Sequence, residues 1–138
     1  MNIYLAFKQT YNNFKEFFPF LLGIILLIAF LMSVISPFFL HAIFTDNVLV
    51  DSFIGSFFGS ILAGNPVNSY IIGSELLNQG VSMVAVVAFI ISWVTVGIIQ
   101  LPVEASLLGK KFAIVRNLIS FFMAIAIAII TVLILQLL

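Results

Sequence analysis

Ile3, Phe7, Tyr11, Phe14 and Phe18 recur every three to four residues, with Lys8, Asn12, Lys15 and Glu16 on the other faces. That period predicts an amphipathic helix over residues 1–18, lying in a membrane interface. Packing of the same aromatics on neighbouring helices is the other reading. Beyond Glu16 the pattern changes to long uncharged stretches at 17–45, 52–74, 76–103 and 117–138. A helix needs about 20 residues to cross roughly 30 Å of hydrocarbon. The first, third and fourth stretches are dense in Ile, Leu, Val and Phe. They predict transmembrane helices at 19–41, 80–102 and 112–138, with Pro19 opening the first because proline suits a first helical turn.

The second stretch differs. Ser52, Gly55, Ser56, Gly59, Ser60, Ala63 and Gly64 lead into Asn65-Pro66-Val67-Asn68-Ser69. A Gly-Asn-Pro break leaves backbone groups unpaired, which is tolerated at membrane depth only inside protein or beside a wet cavity. The choice lies between a kinked spanning helix and a broken hairpin over 53–77 that leaves by the face it entered. Lys8 and Lys15 precede the first span, and Lys110, Lys111 and Arg116 lie between the last two. The hairpin puts all five on the cytoplasmic side and leaves Asp46 and Asp51 outside, as the positive-inside rule prefers. The expected fold is therefore an all-α integral membrane protein in one domain, 1–138. It has three transmembrane helices, a broken re-entrant hairpin and an interfacial helix, with the N-terminus cytoplasmic and no cleavable signal.

Composition supports the membrane reading and removes other classes. Of 138 residues, 64% are hydrophobic and 7% charged, with five basic and five acidic side chains. A soluble domain carries about 25% charge, so a soluble enzyme is excluded. Nucleic-acid binding is excluded too, for want of clustered cations. With no Cys and one His, His41, at the end of the first span, thiol chemistry and zinc clusters are out. No paired Asp, Ser–His or zinc motif supports an intramembrane protease. No enzyme activity, cofactor or metal is expected.

Candidate binding residues gather around the break. Asn65 is a good N-cap and Pro66 fits the first helical position, so the second half-helix would point its free N–H groups into the protein. Broken helices of this kind form ion and substrate sites in transporters. Asn68 and Ser69 add neutral donors and acceptors; the alternative is a plain polar loop. The four-residue spacing of Ser52, Ser56 and Ser60, beside Gly55, Gly59 and Ala63, permits close helix approach; a serine-lined path is the alternative. A similar stripe in the third stretch includes Ser82, Ala85, Ala88, Ser92, Thr95, Val96 and Gln100, and the last span has Ser120, Ala124, Ala128 and Thr131. Of these, Ser92, Thr95 and Gln100 are candidate lining residues for a substrate or ion passing near the hairpin tip. Glu75 and Glu104 are the acidic residues beside the apolar second half. Each is a candidate ion-binding group, since ionisable residues at such depth are functional by default. The alternative is that both reach the interface as topology markers. Lys110, Lys111 or Arg116 could neutralise Glu104, and Gln100 shares its helix face only if Pro102 leaves the helix intact.

The stretch 63–117 reads Ala-Gly-Asn-Pro-Val-Asn-Ser-Tyr-Ile-Ile-Gly-Ser-Glu-Leu-Leu, then Gln79-Gly80-Val81-Ser82, Ala88-Phe89-Ile90-Ile91-Ser92-Trp93-Val94-Thr95 and Gln100-Leu101-Pro102-Val103-Glu104-Ala105, ending in 108–117. It resembles the predicted permeases related to arsenical-efflux permeases, in particular short prokaryotic members. The resemblance covers about 55 residues and implies transport across the inner membrane, with Asn65, Pro66, Glu75, Gln100, Pro102 and Glu104 at the family's polar positions. Full permeases of this kind have many more spans, often as two halves, and no cysteine is present here to hold a trivalent arsenical. The expectation is a half-size permease module moving a small solute or ion, as a homo-oligomer or with a second half. The rivals are a non-transporting membrane scaffold and, on Asn65-Pro66-Val67 alone, an aquaporin-like pore.

Overall fold

The structure is a computed structural model that describes residues 3–34, 40, 42–62 and 65–138. The elements are α1 (Ile3–Val34), α2 (Val48–Ile61), α3 (Pro66–Asn78), α4 (Met83–Thr95), α5 (Leu101–Leu108) and α6 (Lys110–Leu137). Among the described residues there is no strand, as the all-α expectation requires. The chain divides into two compact units, 1–35 and 36–138.

The first unit is the helix α1. It runs through Pro19, whereas the sequence suggested an interfacial helix ending before a new span. The reason is local. Pro19 removes one backbone bond and crowds the preceding turn, but Phe17 and Phe18 before it are not capping residues, so nothing ends one helix and starts another. Phe14 and Phe18 meet ring to ring, with centroids 5.8 Å apart. His41 and residues 35–39, in the far end of the expected first span, lie outside the described residues.

In the second unit, α2 and α4 form the central pair and run parallel. A Cβ built at Gly55 would sit 2.1 Å from the Ala85 carbonyl oxygen, and one at Gly59 would sit 2.3 Å from that of Phe89. The helix backbones touch at two successive turns because neither glycine has a side chain to hold them apart. The return between them is α3, whose Gly73 faces the Val86 and Ile90 side chains of α4. Helix α6 packs antiparallel to α4, with Ala128 joining Val84 and Ala88 in a buried cluster. Its buried positions are Ala113, Asn117, Ala124 and Ala128, a stripe of small residues. Phe53 of α2 meets Phe121 of α6 edge-on at 5.5 Å.

The break expected near Gly64 falls between α2 and α3, with Ala63 and Gly64 themselves outside the described residues. The first half-helix begins at Val48, five residues before the expected start, because Asn47 caps it by accepting from the Leu49 and Val50 N–H groups. The helix expected over 80–102 ends at Thr95. Gly97 N–H, which would have continued it, donates instead to Asn117 Oδ1 of α6 at 2.9 Å. Ile98 N–H donates to the Ser60 carbonyl at the end of α2. Two backbone donors are thus diverted to neighbours, and the helix restarts as α5 with Pro102 in its first turn. At 1.5 Å per residue, α2 and α4 are each about 20 Å long and α6 about 42 Å. Among the described residues one helix, α6, is long and apolar enough to cross a membrane.

Candidate functional site

Two polar clusters occupy the two ends of α4. At its C-terminal end, Glu104 of α5 receives Arg116 Nε at 3.0 Å on Oε2, and Arg116 Nη2 pairs with Oε1. The guanidinium thus grips both carboxylate oxygens, a geometry that fixes orientation as well as charge. Asn117 Nδ2 donates to Glu104 Oε2 at 3.1 Å and to the Ala113 carbonyl at 2.9 Å, while its Oδ1 takes the Gly97 N–H. Asn117 is buried, Glu104 and Arg116 half-buried. The carboxylate therefore joins α5 to the start of α6, and Asn117 ties both to the unwound 96–100 segment. Glu104 N–H bonds the Gln100 carbonyl, so Pro102 does not separate the two residues, and the Gln100 side chain is exposed.

At the other end of α4, Asp51 is fully buried. Its Oδ1 accepts the Thr45 N–H at 2.9 Å and its Oδ2 accepts the Ser82 hydroxyl. Asp51 stands in the first turn of α2, and Ser82 is the N-cap of α4. Because the helices are parallel, their positive dipole ends lie at the same end of the pair, where a carboxylate is stabilised. The Ser82 hydroxyl bonds no amide of its own helix and serves Asp51 instead. The two clusters are about 20 Å apart along α4.

Between them lie buried hydroxyls. Ser52 and Ser60 donate to the Leu49 and Phe57 carbonyls of α2. Ser56 and Ser92 are buried with no hydrogen-bond partner for the hydroxyl oxygen. The serine spacing thus serves packing beside Gly55 and Gly59, with two hydroxyls left over.

The residues around the break divide differently. Asn65 caps α3 by accepting the Val67 N–H at 3.0 Å, with Pro66 next to it. Asn65, Pro66 and Val67 are exposed on the chain, so this helix end opens to its surroundings and not into the chain's own interior. Asn68 is half-buried; Ser69 is buried, its hydroxyl donating to the Pro66 carbonyl. Glu75 is half-buried near the opposite end of α3, accepting the Gln79 amide at 3.4 Å. Thr95 is exposed and returns its hydroxyl to the Ile91 carbonyl. Of the residues expected to line a site, Asn65, Pro66, Asn68 and Ser69 come together at the start of α3, and Gln100 and Glu104 are joined through the backbone alone; Glu75, Ser92 and Thr95 belong to neither group.

Asp51 and Asn117 escaped the sequence reading. The signal for Asp51 was its four-residue spacing from Gly55 and Gly59, which puts all three on one helix face. Asn65→Ala should destabilise α3 locally by about 1 kcal/mol, read as faster amide hydrogen exchange over 67–70 with α4 unchanged. Equal exchange in both proteins would mean the cap is dispensable. No known protein family, curated protein or solved structure matches this chain.

Proposed function

We propose that the chain is a membrane-embedded transport module that moves a small solute or ion across the inner membrane. In this reading α6, the uncharged part of α1 and the α4–α5 region make three multi-pass spans, with α2–α3 as the broken hairpin and the N-terminus cytoplasmic. It works as a homo-oligomer or beside a second permease half, since three spans enclose little by themselves. One observation carries the reading. A carboxylate, Glu104, stands in the first turn of α5, the helix that restarts after α4 unwinds, gripped by Arg116 and by the asparagine that diverts the Gly97 N–H. Discontinuous helices with ionisable groups at the break are the usual architecture of ion-coupled sites.

The test uses the purified chain in sealed liposomes containing a pH-sensitive dye, under an imposed potassium diffusion potential. Proton entry above the protein-free rate supports the reading, and Glu104→Gln should slow it at least about tenfold, a barrier change of roughly 1.4 kcal/mol. Flux equal to protein-free liposomes favours the membrane scaffold instead. That second reading has its own support in the direct backbone contact at Gly55 and Gly59, which leaves no path between α2 and α4. Flux unchanged by Glu104→Gln would remove Glu104 from the site.

A further inference from the structure

The buried stripe of α6 has an opposite. Lys111, Val115, Leu118 and Phe122 recur at four- and three-residue intervals, and all are exposed. The face opens as a groove of about 550 Å³ around Lys110, Lys111, Phe112 and Val115. It continues through Val115 into a second groove of about 410 Å³ lined by Leu118, Ile119, Phe122 and Met123. The upper part carries two ammonium groups; the lower is wholly apolar.

Among the described residues the upper end has no counter-charge. Lys110 and Lys111 open α6, where the helix dipole is positive and added cations are disfavoured. The N-cap is Gly109, which brings no side chain to the first N–H groups. Arg116, one turn on, is neutralised by Glu104, and that is the one ion pair among the described residues. Two lysines at an uncapped positive helix end call for an anion, and the apolar continuation calls for hydrocarbon. The groove from Lys111 to Met123 is about 18 Å long at 1.5 Å per residue, close to the roughly 15 Å depth of one leaflet.

We propose that this face of α6 seats one anionic phospholipid, its phosphate between Lys110, Lys111 and the α6 N-terminus and one acyl chain along Val115, Leu118 and Phe122. A second copy of the chain fits less well. Parallel pairing along the same stripe would stack Lys111 on Lys111, and antiparallel pairing would press both lysines on the apolar 133–137 end. The proposal rests on the membrane reading above but not on transport. Basic residues near a membrane surface favour anionic lipid by about 1 kcal/mol each.

The test is native mass spectrometry of the full chain, extracted in mild detergent from liposomes of equal dioleoyl-phosphatidylglycerol and dioleoyl-phosphatidylcholine. Retained phosphatidylglycerol should exceed phosphatidylcholine by roughly 5- to 30-fold for two lysines. The Lys110→Gln/Lys111→Gln double variant should bring the ratio close to one while circular dichroism shows the same helix content. Lys8→Gln/Lys15→Gln, with the same charge change on α1, should leave it unchanged. Ile119→Asn, inside the groove, should lower retention of both lipids. An equal ratio in the parent, a ratio that falls equally in both lysine pairs, or full displacement by inorganic phosphate overturns the proposal. So does a lipid-free dimer that Phe122→Asn dissociates. Insertion into pure phosphatidylcholine liposomes is scored separately: a chain that inserts but shows no lipid preference refutes the seat alone, and one that does not insert refutes both.

Discussion

Gly59→Ala is expected to destabilise the chain, although helix propensity alone predicts a gain of up to about 1 kcal/mol for that change. The new methyl would meet the Phe89 carbonyl oxygen at 2.3 Å. Its obstacle is backbone, so no side chain can rotate away; α2 and α4 must separate. Overpacking of this kind costs about 1–3 kcal/mol, and separation also forfeits the neighbouring contact at Gly55, where a Cβ would lie 2.1 Å from Ala85 oxygen. Gly55→Ala/Gly59→Ala should therefore cost little more than the worse single variant, because one displacement relieves both contacts. Thermal unfolding by circular dichroism in detergent gives the sign directly. Gly23→Ala is the control: a Cβ there meets nothing within 4 Å, so the propensity gain should appear without penalty. A stabilised Gly59→Ala protein would mean that α2 and α4 are not in backbone contact.

These contacts also show what the sequence could and could not express. Four-residue spacing of small side chains was enough to mark α2 as a packing helix, and Asn65-Pro66 was enough to mark the start of α3. The helix ends were harder. Asn47 opens α2 five residues before the polar stretch looked structured, and its cap reads as an ordinary loop residue until the helix is seen. Thr95 closes α4 for a reason absent from its own neighbourhood: the Asn117 side chain, 22 positions on, takes the Gly97 N–H. No local propensity encodes a donor captured by another helix. For the prolines the preceding residue is a partial guide: it separates Pro19 inside α1 from Pro66 in a first turn, but not from Pro102, which follows Leu101 in a helix without a side-chain cap. Asn65 precedes Pro66 and caps; Phe18 precedes Pro19 and does not.

The charges were legible as topology and less so as chemistry. Glu104 was recognisable because Gln-Leu-Pro precedes it and cations follow. Of the three cations, Arg116 is its partner. Asp51 reads in sequence as an outer-face marker, yet the structure buries it. The expected boundary at residue 53 had detached it from the stripe it heads, so its spacing from Gly55 and Gly59 carried no weight.

Asp51 should accordingly be the most sensitive acidic position for folding. Asp51→Ala removes the acceptor of the Thr45 N–H and frees the Ser82 hydroxyl. It also removes negative charge from the positive ends of α2 and α4, worth about 0.3–1 kcal/mol for each helix end. Hydrogen bonds to charged groups contribute about 1.5–3 kcal/mol, and Ser82 can recover part of one by turning back to cap α4. The expected cost is about 2–4 kcal/mol, against roughly half that for Asp51→Asn, whose amide oxygen can still accept from one donor. Ser82→Ala isolates the shared bond, so Asp51→Ala and Ser82→Ala should be non-additive by about 1–2 kcal/mol in a double-mutant cycle. Urea unfolding of the four proteins in the same detergent supplies the cycle. Additive losses would mean that Asp51 and Ser82 act independently, and that the parallel helix pair is held at this end by packing alone.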